Sequence, residues 1–193
     1  SCTAGTNCVQ TPLTDPADTV NNPGLGYSSC FALDVTDPNS PALLWEFNNP
    51  GLGYSTSGPA IVRIGDVNKN GKWFAVFGSG PTGPINTTTH QFLGRSDQNL
   101  KFFVVDLQTG TKVGEIDTGI ANAFSGPLLG ASIDIDRASP SIAGNYQDDA
   151  VYVGFTKKDN VSGEWTSGGI GRLVTKESAD PADWAWSVVL DNT

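Results

Sequence analysis

The chain is short of basic side chains. Over its 193 residues, 11 Lys and Arg stand against 20 Asp and Glu, a net charge of −9, and the cations nowhere cluster. Phosphate backbones are held by a basic face, so no nucleic acid is expected as a partner. No apolar run approaches the ~20 residues a membrane helix needs, so no transmembrane segment is expected. The single histidine, His90, sits in a polar loop and no Cys-x-x-Cys occurs, which removes the common zinc ligand sets. One isolated histidine completes no catalytic triad, and no Gly-x-Ser-x-Gly elbow is present, so the expectation is a protein that is not an enzyme. Sustained helical periodicity is missing as well. One turn is expected at 180–184, where Pro181 suits a first helical position.

What is there is punctuation and repetition. The 23 Gly and 12 Pro, with 38% hydrophobic and only 16% charged residues, suit many short strands joined by tight turns. A phrase occurs twice: FALDVTDPNSPALLWEF at 31–47 and FVVDLQTGTKVGEI at 103–116. Each is an apolar run ending in Asp (Asp34, Asp106), a polar turn, and a second apolar run, the pattern of an antiparallel hairpin. A Ser-Gly-Pro and a further apolar strand follow each copy. Gly58 and Gly126 lie 68 residues apart, and Asp66 and Asp134 keep the same offset. A last strand closes each unit, at 73–80 and 150–155, and a degraded third copy starts at Gly169 and ends at 186–190. Four strands per unit predict an all-β fold of antiparallel four-stranded blades of a β-propeller, with about two and a half blades in 28–193. Residues 1–27 read as a variable, Cys-containing loop or insertion. No signal peptide is visible, and both ends read as cuts within a longer precursor, so 28–193 is expected to be a partial propeller from a larger protein.

Three cysteines are an odd number. Cys2 and Cys8 are close enough in sequence for a small disulfide, which favours an oxidising compartment. Cys30, at the start of a strand, reads as a buried free thiol, or as the partner of one of the other two or of a segment elsewhere. Asn21-Asn22-Pro23-Gly24-Leu25-Gly26-Tyr27-Ser28 recurs at 48–55 and reads as a Pro-Gly turn with an aromatic anchor. Two sequons, at Asn86 and Asn160, lie in loops where short matches arise by chance. Trp45 and Trp73 fall in apolar strands and are expected in the core, while Trp184 and Trp186 share one face of a strand and are expected to pack between blades.

Two acidic loops are the candidate sites. Asp66-Val67-Asn68-Lys69-Asn70-Gly71 opens like a calcium loop, in which alternating oxygens and a Gly wrap a hard cation. The twelfth position is Phe77 rather than a bidentate Glu, and an Asn-Gly hairpin turn is the alternative. The second loop brings Asp134, Asp136, Asp148 and Asp149, with residues 137–146 interrupting the pattern. The expected metal set is Asp66, Asn68, Asn70, Asp134, Asp136 and Asp148, for calcium, with solvated turns as the alternative.

The ordered string Phe31-Ala32-Leu33-Asp34-Val35-Thr36-Asp37-Pro38, Leu44-Trp45-Glu46-Phe47, Gly53-Tyr54-Ser55 with Gly58-Pro59, and Gly71-Lys72-Trp73-Phe74-Ala75-Val76-Phe77-Gly78 resembles the C-terminal propeller of the PilC/PilY family of type IV pilus tip-associated adhesins. The resemblance runs over about 28–190. It implies a non-enzymatic exported protein that passes through the periplasm to the cell surface, at a pilus tip or the outer membrane. There it would meet pilin or minor pilins and a host or abiotic surface, promote pilus assembly, counteract retraction and mediate attachment. It further implies that calcium at an Asp-rich loop governs extension and retraction. The enzymatic alternative is a quinoprotein dehydrogenase, whose propeller has similar strands. Its quinone would need adjacent cysteines and a full ring of blades, so no quinone is expected. A third alternative is a scaffold module of a surface or filament protein.

Overall fold

The computed structural model describes residues 28–55, 58–65, 71–85, 92–128, 130–138, 141 and 143–192. The segment 1–27 with Cys2 and Cys8, the 66–70 loop with Asp66, Asn68 and Asn70, the Asn86 sequon and His90 lie outside them. Within them the fold is all-β and every strand pairing is antiparallel. The strands are β1 (Ser29–Asp34), β2 (Ala42–Asn48), β3 (Ala60–Ile64), β4 (Lys72–Gly78), β5 (Gly83–Ile85), β6 (Phe92–Arg95), β7 (Lys101–Asp106), β8 (Lys112–Asp117), β9 (Ala123–Ser125), β10 (Ser132–Ile133), β11 (Ala150–Lys157), β12 (Ser167–Val174) and β13 (Ala185–Asn192). They form a β1-β2 hairpin, a β3-β4-β7-β8 sheet, a β10-β11-β12-β13 sheet and a β5-β6 ribbon. β9 pairs with the far end of β11 on the same side as β10, so that edge of β11 is covered in two pieces, and of the strand expected after Gly126 only Ser132–Ile133 forms.

Sheet and sequence unit are out of phase. The hairpin of one unit joins the last two strands of the unit before it: β7-β8 adds to β3-β4, and β12-β13 adds to β10-β11. The repeated phrase is one device used twice. In β1-β2 the register slips between Ala32 and Leu33, in β7-β8 between Val104 and Val105, which are the matching positions. The extra residue, Leu44 or Val113, is a β-bulge that sharpens the local twist. The Asp that ends each first strand caps its own turn: Asp34 Oδ1 accepts the Thr36 N–H (2.9 Å), and Asp106 Oδ1 accepts those of Gln108 (3.0 Å) and Thr109 (2.9 Å). Such Asx turns bend the backbone locally, which is why Asp stands there.

The β3-β4-β7-β8 sheet is covered on both faces, so its central strands are apolar at every position rather than at alternate ones. Phe74, Val76, Phe102 and Val104 face the β10-β13 sheet, packing with Val151, Val153, Phe155 and Leu173. Ala75, Phe77, Phe103 and Val105 face the hairpin, meeting Trp45, Phe47 and the half-buried Cys30 and Ala32. Cys30 is a free thiol whose pKa burial pushes up. Trp184 and Trp186 pack into the first of these cores, edge-on to Phe74 at 5.9 Å and against Phe102 at 5.1 Å. Trp184 stands just before β13, closing the short 3-10 turn Pro181–Asp183 in which Pro181 takes the first position. Trp73 departs from expectation. It is 46% exposed at the sheet margin, with the Arg63 guanidinium 5.7 Å from its ring.

The β7-β8 turn locks the hairpin to this sheet. Trp45 Nε1 donates to the Leu107 carbonyl (2.9 Å), and Gly110, at φ +72°, lies so close to the indole that an added Cβ would stand 2.5 Å from Trp45 Cβ. Both the left-handed backbone and the lack of space require Gly. Gly110→Ala is expected to cost about 1–3 kcal/mol, read as a lower urea midpoint at unchanged m-value.

Candidate metal centre

The second acidic loop sits at the seam between β3 and the β10-β13 sheet. β10 ends at Ile133, releasing Asp134 and Asp136 into a turn, and the return chain enters β11 through Asp148 and Asp149. Backbone bonds fix both sides. The Asp149 N–H donates to the Ile133 carbonyl (2.8 Å), the Ile135 N–H donates to Asp149 Oδ2 (2.6 Å), and the Thr175 N–H donates to the Asp149 carbonyl (2.9 Å). Thr175 is fully buried and its hydroxyl donates to the Asp148 carbonyl (2.6 Å). Across the seam, Asp148 N–H donates to the Arg63 carbonyl (2.8 Å) and Asp148 Oδ2 accepts the Arg63 N–H (2.7 Å).

Asp134, Asp136 and Asp149 each present a carboxylate oxygen within 4.8 Å of the others. Oxygens bound to one calcium at 2.3–2.6 Å lie no more than about 5 Å apart, so the spacing suits that ion. Asp134 Oδ1 and Asp136 Oδ1 are buried and without a hydrogen-bond partner, the state expected of oxygens that await a cation. A cluster of hard anionic oxygens with no sulfur or imidazole favours calcium over a transition metal. Burial pushes the Asp134 carboxyl above the ordinary range, reinforced by the adjacent Asp136 carboxylate and the charge of Asp148, with Arg63 opposing. That opposition is modest: Arg63 Nη2 reaches Asp134 Oδ2 at 3.4 Å with side chains 23% and 13% exposed.

Arg63 is flanked by two aromatic rings. Its guanidinium lies 5.7 Å from the rings of both Trp73 and Tyr146, and Tyr146 adopts φ +60°, a conformation costly for an aromatic residue. Beside it, Gln147 Oε1 accepts the Gly65 N–H (2.6 Å), while Asn145 and Gln147 both donate to the Glu177 carboxylate. These contacts tie the return chain to β3 and to the turn after β12.

Of the expected metal set, the structure groups Asp134 and Asp136 and joins them to Asp149, whereas the Asp148 carboxylate is turned to the Arg63 backbone. Adjacent residues of an extended chain project to opposite sides, so only one of the pair 148–149 can enter the cluster. The Asn160 sequon lies in a turn organised by Asp159, whose carboxylate accepts the N–H and the hydroxyl of Ser162 and the hydroxyl of Ser167 on β12, bonds that lower its pKa to about 2.

No family model matches the chain, and no solved structure does. Among curated proteins it is 29% identical over 131 residues to the type IV pilus biogenesis factor PilY1 of Pseudomonas aeruginosa strain UCBPP-PA14, a match covering 64% of this chain and 10% of that protein. To PilY1 of strain PAK it is 32% identical over 129 residues, covering 63% of this chain and 10% of the relative. The chain thus spans about a tenth of the length of the relatives it matches. Among the described residues, no helix is long and apolar enough to cross a membrane.

Proposed function

We propose that this chain is β-propeller material from an exported, non-enzymatic component of type IV pili, a tip-associated adhesin and biogenesis factor that supports pilus extension and surface attachment. The observation that carries this reading is the similarity to PilY1 across nearly two thirds of the chain. The stacked antiparallel sheets, built from units about 70 residues long, support propeller blades as the architecture. Pilin or minor pilins at the tip and a host or abiotic surface are the partners this reading assigns. Its place is at the cell surface after export through the periplasm.

Calcium at Asp134, Asp136 and Asp149 is the modulator. The cluster bridges the β10 turn and the entry to β11 at a seam with β3, so ion binding would stiffen the contact between two sheets rather than perform chemistry. A deletion strain is expected to carry fewer surface pili and to lose twitching motility. The gene should restore both, while a copy with Asp134→Asn and Asp136→Asn restores them incompletely. Unchanged piliation and motility in the deletion strain would remove the pilus reading. Full restoration by the double variant would remove the calcium role alone.

A further inference from the structure

We infer that the open edge of β1 is a docking site for one antiparallel strand, of the kind that β4 and β11 supply within this chain, from a further repeat unit of the same fold. β1 is the first strand of a hairpin whose two counterparts begin with β7 and β12. Each counterpart pairs with the closing strand of the preceding unit, β7 with β4 and β12 with β11, always antiparallel. Matching bonds mark the equivalence: the Leu107 N–H donates to the Trp73 carbonyl (2.9 Å), and the Thr175 N–H donates to the Asp149 carbonyl (2.9 Å). The residue in that place on β1 is Val35. Among the described residues β1 pairs with β2 alone.

Alternation along the strand says which groups are left over. In β7 the Asp106 N–H turns to the β8 side, donating to Thr111, while the Leu107 N–H and the Lys101 carbonyl turn to β4. Moved by 72 residues, this assigns the N–H groups of Cys30, Ala32 and Asp34 to β2 and those of Phe31, Leu33 and Val35 to the open edge. Side chains tell the same story. Phe103 and Val105 are fully buried, whereas their counterparts Phe31 and Leu33 are 49% and 44% exposed. With Leu44 they form an apolar strip on the face turned away from the rest of the chain. A strand edge with such a face is a template for pairing.

The occupant follows from what fills the equivalent places. β4 (KWFAVFG) and β11 (AVYVGFTK) are apolar strands rich in aromatic and β-branched residues. Among the described residues a second copy of this chain has no free strand of that kind, because β4 already lies between β3 and β7 and β11 between β10 and β12. The relatives this chain matches are long enough to hold many such units, since the match covers 10% of their length.

A fluorescent peptide with the sequence of Lys72–Gly78, flanked by lysines for solubility, is the probe. It is expected to bind the whole chain saturably, with its Phe77 copy opposite Phe31, as Phe77 lies opposite Phe103 in the parent sheet. N-methylation at its 75 and 77 positions, whose N–H groups would face β1, should weaken binding at least about tenfold. N-methylation at 74 and 76 should not. Amide exchange should slow at Phe31, Leu33 and Val35 in the complex and stay unchanged at Cys30 and Ala32. Three results would overturn the inference: no binding up to about 1 mM peptide, protection elsewhere on the chain, or full protection of those three amides before peptide is added.

Discussion

Phe103→Ala should lower folding stability by about 3–5 kcal/mol, whereas Phe31→Ala, at the same position of the other hairpin, should cost less than about 1 kcal/mol. Phe103 is fully buried in the central sheet, 6.0 Å from the Phe47 ring, with its edge against Gly51 and the Lys112 ammonium 6.0 Å from its face. Removing it empties the centre of the core that packs β1-β2 against the rest of the chain. The hairpin should therefore loosen before the remainder unfolds, and amide exchange in β1 and β2 should quicken more than in β11 or β12. Phe31 occupies the corresponding site on a face with no covering sheet, so its truncation removes little buried area. Urea titration of the two variants at matched m-value reads the difference. Equal losses would mean that Phe31 is covered in solution, and the open face of β1 would be gone.

That contrast also marks where the sequence stops being a guide. Both hairpins were readable, because Asp34 and Asp106 cap turns between apolar runs and the physics of an Asx turn is local. The partner of each hairpin was not. Sequential strands are usually neighbours, which favours β2 beside β3. The chain instead leaves β2 through the 3-10 turn Pro50–Leu52, capped by the Asn49 side chain on the Gly51 N–H (2.8 Å), and crosses to the next sheet. Burial of Leu52 and the bond from the Gly80 N–H to its carbonyl (2.8 Å) fix that crossing, and both are long-range contacts. The signal that was available is the doubly apolar character of KFFVVD and WFAVFG, which belongs to a sheet covered on both faces. Trp73 misled because it opens WFAVFG, yet it lies at the margin where the covering sheet ends. At the candidate site, Asp134 and Asp136 were legible as a turn rich in carboxylates. The choice between Asp148 and Asp149 depended on which one β3 would claim.

Calcium added at neutral pH is expected to raise the melting temperature and to release or absorb measurable heat on titration, and Asp134→Asn or Asp149→Asn should abolish both responses. Asp148→Asn should leave them within a few-fold, because an amide oxygen can still accept the Arg63 N–H. The pH dependence has a definite sign. Asp134 has a raised pKa in the folded chain, for burial and its Asp136 neighbour disfavour the charge, while in the unfolded chain it titrates near the ordinary ~3.9. The folded state therefore binds this proton more tightly. Its contribution to stability is present below the unfolded value and is lost as pH rises through the folded one. Above that point the crowded carboxylates oppose folding and a cation relieves them, so the calcium-induced shift should be largest at neutral pH and shrink as the proton competes. By the same reasoning, calcium-free Asp134→Asn should be at least as stable as the parent at pH 7, since losing a partly exposed contact to Arg63 costs only about 0–1 kcal/mol. Arg63→Met keeps the apolar stem between Trp73 and Tyr146 but removes the competing charge, and should tighten calcium about tenfold. If about 1 mM calcium leaves both the melting temperature and the calorimetric trace of the parent chain unchanged at pH 7, the three carboxylates are a turn and nothing more.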